Sequence, residues 1–510
     1  MKTTRALILL PLLLLACKAP PRQEQQTPPT TTPPPVVTPA PAPSPAPVPT
    51  PDPAPVPTPV PDPVPAPEPV PVPTPEPAPS PAPEPAPSPA PEPVPAPAPD
   101  PVPAPTPAPD PVPTPTPTPV PTPAPTPTPA PVPAPVPVPT PPVVTPPAPA
   151  YSGPLVITKG GTYSGNWESL DATVPAVLVK TSEPVVLQSC RVRGKGHLIS
   201  APWISAQLTV RSCSGTALNP DVVTRSLGRF IHAEGAQSVV VEGNTLERTS
   251  GIYINALRPK PSGPTVVVRY NVARDLDGRF SDGRGGWQKT FQRVQFVQLN
   301  AVKAPGVDIG WNRVENTPLS GHVEDVINIY ASVGTASSPI RVHDNLIQGA
   351  YGVPVSMDYT GGGIMLGDGK GSAYQQAVNN TVLETSNYGV AVAGGSNMLV
   401  QGNTVLGTGK APDGTLLDAT PDAGLYCRNY PKEPRAEGSI VFRDNTVGWG
   451  RPKVSKPDAR WDWSWGTAGC ADAGGNVKVG TSAVPATALL DAVAAWDLRV
   501  AAAGVRVGAP

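Results

Sequence analysis

One phrase recurs along the last two thirds of the chain: a short β-branched run that ends, a few residues on, in asparagine. It reads Val239-Val240-Val241-Glu242-Gly243-Asn244, then Val266-Val267-Val268-Arg269-Tyr270-Asn271, and returns to end at Asn312, Asn345, Asn380, Asn403 and Asn445. A second apolar stretch precedes each of them, as in Phe230-Ile231-His232-Ala233, Phe296-Val297-Gln298-Leu299 and Val326-Ile327-Asn328-Ile329. Two earlier units fit if Cys190 and Cys213 take the Asn position, which makes nine units in all. A unit this short cannot bury its own apolar face. Stacked copies can, so the repeat predicts a solenoid whose coils pair in parallel around a shared interior. Asn at the bend tolerates a left-handed backbone, and stacked Asn side chains can hydrogen-bond as a ladder.

The repeat occupies only part of the chain. Of 84 prolines among 510 residues, 64 fall in residues 1–150, and from Pro39 to Pro141 every second residue is proline. Each proline fixes its own φ and keeps its predecessor out of the α region. Residues 17–150 therefore read as a disordered polyproline stalk, with Glu68, Glu76, Glu84 and Glu92 marking an octapeptide duplication. Ahead of it, the basic start Met1-Lys2-Thr3-Thr4-Arg5 and the apolar run from Ala6 to Ala16 form a signal peptide over residues 1–16. Leu14-Leu15-Ala16-Cys17 resembles the bacterial lipobox, and the resemblance implies cleavage before Cys17 and acylation of its sulfur. Lys18 stands where an aspartate would resemble an inner-membrane retention signal, so a lipid anchor at the outer surface of a bacterial envelope is expected. Residues 151–510 carry 33 Lys and Arg against 29 Asp and Glu, a balance too weak to recruit nucleic acid as a main partner.

Within residues 151–510, strand, turn, strand and Asn together resemble the right-handed parallel β-helix (pectin lyase-like) superfamily, which includes pectate lyases, polygalacturonases and phage tailspikes. The resemblance covers roughly residues 160–450 and implies an all-β right-handed parallel β-helix of about nine coils. Leu489, Val493, Trp496 and Val500 fall on one face of a helix over 487–503, which predicts a cap closing the C-terminal end. Cys190 and Cys213 occupy equivalent sites of successive coils and are expected to be bridged; Cys427 and Cys470 then pair by default. No CxxC spacing occurs, and His197, His232, His322 and His343 do not cluster with cysteines.

Strand alternation separates inward from outward residues. Placing Ile231, Ile252, Val297, Ile327, Ile364, Val390 and Leu425 inward leaves an outer row containing His232, Glu234, Tyr253, Asn255, Gln298, Asn300, Asn328, Tyr330, Met365, Ala391, Tyr426 and Arg428. Amides and aromatics in register suit sugar hydroxyls and sugar faces. His322-Val323-Glu324-Asp325 precedes Asn328, and Asp344, Asp358 and Asp368 follow in later units. Glu324 and Asp325 are the candidate acid and base of glycoside cleavage, or ligands of a Ca²⁺ ion that acidifies a uronate; a solvated pair ahead of a strand is the plain alternative. His232, Asn255, Asn300, Asn328, Tyr330 and Asp368 are the candidate glycan contacts. The polygalacturonase-type Asn-Thr-Asp phrase is missing, and Gly361-Gly362-Gly363 and Gly367-Asp368-Gly369 read as tight turns rather than phosphate loops. The insertion from Arg274 to Trp287 predicts a loop overhanging the row with Arg284 and Trp287, or a loose calcium loop at Asp277 and Asp282. Trp461, Trp463 and Trp465 fall on one side of an extended segment, either as a saccharide platform or as packing for the cap.

The expected function is therefore binding, with or without lyase- or glycosidase-type cleavage, of an extracellular or cell-wall polysaccharide by a surface-tethered protein. The alternative is a non-catalytic adhesin or envelope spacer. The anchor has a direct consequence: Cys17→Ser should move the protein from the membrane fraction to the soluble fraction, and retention of the variant on membranes would remove the acyl anchor from this account.

Overall fold

The computed structural model describes residues 149–510 apart from 261–264, 418, 421–422, 437, 453–455, 457–458, 467–468 and 481–482. The leader, Cys17 and the stalk lie outside the described residues. Three parallel sheets of eleven strands each run side by side, and every third strand in sequence belongs to the same sheet, apart from one inserted two-stranded hairpin. The chain is thus a right-handed parallel β-helix of eleven coils, two more than the nine counted from the repeat. The additional coils are the terminal ones. The first is built from Leu155–Ile157, Gly161–Tyr163 and Asn166–Ser169, and the last from Trp463–Trp465, Cys470–Asp472 and Val477–Lys478. Each of these has only one neighbour, and neither carries the β-branched run that marks the others.

The interior is a stack of aliphatic rows. Ile199, Ile231, Ile252, Val297, Ile327, Ile364, Val390 and Leu425 succeed one another in register in the first sheet, all fully buried. Each such side chain contributes about 1.5–3 kcal/mol by leaving water. Beside these rows runs the asparagine ladder. Asn244, Asn271, Asn312, Asn345, Asn380, Asn403 and Asn445 each pass one amide proton to the next Asn oxygen, at 2.8–3.0 Å, and the chain of bonds ends at Asn476. Asn312 also donates to the Val268 carbonyl (2.8 Å) and accepts from the Asn271 backbone N–H (3.0 Å), so its buried amide leaves nothing unpaired. The left-handed bend falls one residue earlier than the repeat suggested: Tyr270, Trp311, Asp344, Asn379 and Asp444 take φ of 52–59°, and the Asn after each turns inward. At the N-terminal end of the ladder the Cys213 N–H donates to Asn244, and Cys213 is bonded to Cys190 with Cα atoms 4.5 Å apart. Cys427 and Cys470 are bonded as well.

The helix spans Ala486–Ala503, but it does not close the end. Trp496, with Leu489, Val493 and Val500 beside it, packs on Leu346, Leu383 and Leu406. These leucines alternate with the inward Ile347, Val382 and Val405, so they point out of the third sheet and the helix lies along its flank. Trp496 donates its indole N–H to the Asp344 carbonyl (2.8 Å), and Arg499 reaches the Asp344 carboxylate (2.8 Å). Past the left-handed Gly504 the tail returns as far as Tyr270 and Thr245. The last coil is plugged instead by Trp463 and Trp465, which stand in register with the inward Leu425 and Cys427. Trp465 packs on Phe442, with ring centroids 4.4 Å apart, and the Lys478 ammonium sits 4.7 Å above Trp463.

Asn312→Ala orphans the Val268 carbonyl, the Asn271 N–H and two neighbouring amides inside the core. It should lower the stability of the intact protein by about 3 kcal/mol. Urea unfolding measures this, and a loss below about 1 kcal/mol would mean that the ladder follows the fold rather than holding it.

Candidate functional site

Parallel pairing turns strand alternation into two outward rows on the first sheet. One runs His232, Tyr253, Gln298, Asn328, Met365, Ala391, Tyr426. The other runs Glu234, Asn255, Asn300, Tyr330, Asp368, with a register shift between Asn328 and Tyr330. The rows are knitted across coils. Asn255 donates to Glu234 (3.1 Å), Asn300 to the Tyr253 hydroxyl (3.0 Å), and Gln298 to the Asn328 oxygen (3.2 Å). The His197, His232 and Tyr253 rings stack in succession, at 4.4 and 5.7 Å between centroids, and the Arg229 guanidinium lies 4.9 Å from the Tyr253 ring.

The character of the face changes at the seventh coil. Beyond Asn328, the residues Met365, Ala391 and Tyr426 join Tyr388, Ala393 and Ala423 in a buried apolar cluster outside the main core. The carboxylates gather at that border. Asn328 donates its amide to Asp325 (2.8 Å) and to Asp368 (3.1 Å). Asp325 also accepts a hydrogen bond from the Tyr388 hydroxyl, although Tyr388 belongs to a strand two coils away. That reach depends on Gly362 between them, where an added Cβ would stand 2.2 Å from the Tyr388 ring. Glu324 accepts from Gln295 (2.8 Å) and pairs with Arg293 (3.0 Å), and its side chain keeps 16% exposure.

The two neighbouring carboxylates differ in access. Asp325 is buried beneath the face, whereas Glu324 and Asp368 are partly exposed. Burial, reinforced by the charge of Asp325 and opposed by Arg293, pushes the Glu324 carboxyl up to about 8. Burial raises Asp325 to about 6, held back by the hydrogen bonds from Tyr388 and Asn328. Asp368 is also raised by burial, against the opposing bond from Asn328.

His232 and Asn255 face the same side as these acids but lie three and two coils away, in the fourth and fifth coils. Asp344 and Asp358 are elsewhere: Asp344 binds His343 and Arg499, and Asp358 accepts from the Thr420 N–H. The insertion forms a hairpin of Arg279–Ser281 with Trp287–Phe291. Trp287 carries the Arg279 guanidinium 4.8 Å from its ring. Asp277 is spent on Arg279, and Asp282 on the backbone N–H groups of Arg284 and Gly286. Among the described residues, no group of three or more His, Cys, Asp or Glu could hold a metal ion.

Sequence reasoning missed Arg293, Gln295 and Tyr388. A signal for part of this was present: Asp325, Gly362 and Tyr388 form one column of the repeat, two residues before the inward Ile327, Ile364 and Val390. No protein family, no curated protein and no solved structure matches the chain.

A carboxyl whose pKa is raised by folding stabilises the folded state below its ordinary pKa, and that contribution is lost as pH rises through the folded value. Stability of the intact protein should therefore decline between about pH 4.5 and about 8, by up to about 1.4 kcal/mol per unit of raised pKa, and level off above that. Glu324→Gln should decline less over that interval. Thermal melts at pH 5.5, 7 and 9 measure the difference, and parallel curves for the two proteins would place Glu324 in water.

Proposed function

We propose that the outer face of the first sheet binds a polysaccharide strand and that Glu324 protonates a glycosidic oxygen of it, so that the protein is a surface-tethered glycan hydrolase of the pectin lyase-like superfamily. The observation that carries this reading is a partly exposed carboxyl held protonated near neutral pH, set beside a second reachable carboxylate at the end of an amide and aromatic row. Glu324 is the acid. Asp368 activates the attacking water, and Asn328 fixes the position of Asp368 through its amide (3.1 Å). Asp325 lies too deep to meet a sugar; its charge, held by Tyr388 and Asn328, keeps the proton on Glu324. Gln295 serves both protonation states. Its Oε1 has no partner while Nε2 donates to Glu324, and a half-turn of the amide lets protonated Glu324 donate to that oxygen. Asn300, Tyr330, Asn255 and His232 carry the strand away from the acids along the row. An acyl group on Cys17 tethers the protein to the outer surface of the envelope.

The full chain, incubated with a panel of neutral and acidic polysaccharides, should release new reducing ends from at least one. Glu324→Gln should lower turnover at least a hundredfold on that polymer while leaving its affinity within a few-fold, and kcat/KM should fall as pH rises through about 8. Binding without products on any polymer would leave the adhesin reading and remove catalysis. Absence of binding to every polymer would remove both.

A further inference from the structure

In several coils the bend between the first and second sheets carries a left-handed residue. In five coils that residue is Trp203, Gly235, Ala256, Ala301 and Ala331, with φ from 46 to 63°. The column follows from the strand registers: Ala201 pairs with Ala233, Glu234 with Asn255, Asn255 with Asn300, and Asn300 with Tyr330. Gly235 meets the left-handed backbone without the Cβ penalty, and the three alanines carry the smallest side chain that incurs it. The fifth is the bulkiest side chain available, and 57% of it is exposed. The core gains nothing from it. Packing does not explain Trp203.

Its surroundings do point to a ligand. One face of the indole lies on Gly235, where an added Cβ would stand 3.2 Å from Trp203 Cε3. The Arg258 guanidinium, from two coils further on, stands 5.9 Å from the ring centroid, and both Arg258 and Lys260 are exposed. Glu234 and Asn255 of the outer row lie directly alongside, in the residues just before Gly235 and Ala256. On the other side opens a groove of about 300 Å³ on the second sheet, with Gln207, Thr209, Gln237, Ser238 and Lys260 in its lining. Each of the three coils that carry Trp203, Gly235 and Arg258 also lines that groove, through Gln207, Gln237 and Lys260 respectively.

We propose that Trp203 and Arg258 form a second carbohydrate-binding site, which stacks a pyranose on the indole and pairs its carboxylate or sulfate with the guanidinium. An exposed indole takes the C–H face of a sugar, and a planar guanidinium beside it takes an oxyanion in bidentate fashion. The platform stands in the third coil and Glu324 at the seventh, about 19 Å apart along the stack. It therefore holds a different part of the same strand, or an acidic side branch, and touches no reacting atom. The site rests on the polysaccharide reading for its ligand class but not on catalysis. An anionic membrane surface could meet the same three groups; the amide and carboxylate groups of the outer row beside them favour a sugar.

Trp203→Ala is the decisive variant, because it installs the residue that three other coils carry at the same bend. Its melting temperature should match or exceed that of the parent chain. Affinities of the intact protein, in a Glu324→Gln background, are measured by calorimetry for a polyuronate, a sulfated glycan and a neutral glycan. Vesicles with and without anionic lipid form a fourth arm. Trp203→Ala should weaken the anionic glycans at least tenfold, and Arg258→Gln should remove the preference for anionic over neutral glycans. The charged glycan that the parent binds tighter identifies the oxyanion. If the parent binds a glycan and Trp203→Ala binds it equally, this site is overturned and the proposed function stands. If the parent binds only anionic vesicles, or none of these probes, the site and the polysaccharide reading fall together.

Discussion

Everything that faces outward on this protein is positioned by the way one coil registers on the next. The Asn ladder enforces that register from inside. Each amide must meet the amide above it and a backbone carbonyl as well, so a coil that slipped by one residue would bury several unpaired polar groups at about 1–3 kcal/mol each. Slippage would also reverse every side chain of the strand, turning Ile327 outward and Asn328 into the apolar interior. The ladder is therefore a register device more than a source of net stability. The Cys190–Cys213 bond performs the same task before Asn244, and the ladder runs on from there to Asn476.

With register held, insertions can be placed at bends without disturbing the rows. The hairpin between the fifth and sixth coils shows this. It adds Arg279–Ser281 and Trp287–Phe291 to one turn, yet Val297 still pairs with Ile252 and Gln298 with Tyr253. Just after the hairpin come Arg293 and Gln295, which meet Glu324. The flank is used in a similar way. The helix covers leucines that the third sheet turns outward, and it is tied through Arg499 to Asp344, whose other oxygen meets the buried imidazole of His343. Burial alone would lower the His343 pKa, but the Asp308 and Asp344 carboxylates on its two nitrogens outweigh this and raise it.

Much of this could be read from residue order. Alternation was enough to sort Ile327 inward and Asn328 outward, because a parallel strand with one buried face has a strict period of two. The helical face of Leu489, Val493, Trp496 and Val500 was equally plain, yet its destination was not. A local pattern shows which side of a helix is apolar and says nothing about which surface it will meet; Leu346, Leu383 and Leu406 only became that surface once the third sheet existed. The terminal coils are not marked by the repeat because a coil with one neighbour needs fewer β-branched residues, and Trp463 and Trp465 read equally as a saccharide platform or as packing for the cap until their register with Leu425 and Cys427 is known. Gln295 and Tyr388 were hidden for another reason. Their link to Glu324 and Asp325 crosses coils, and it depends on a missing side chain at Gly362, an absence that no pattern of residue types advertises.

The position of the acids follows from the same stacking. N-terminal to the seventh coil the outer face is built of amides and hydroxyls that can solvate charge, and C-terminal to it of Met365, Ala391 and Tyr426, which cannot. A carboxylate placed in the middle of the amides would stay ionised and ordinary, and one placed among the apolar groups would be an unpaired buried charge. At the border both conditions hold in part. Asn328 and Tyr388 supply hydrogen bonds to keep Asp325 in place, while the apolar side withholds solvent and drives the Glu324 proton on. A single change of side-chain character along one outward row thus separates two adjacent carboxyls into a reachable acid and a buried anion. Neither needs a unique residue type to do so; they need only different depths at one edge.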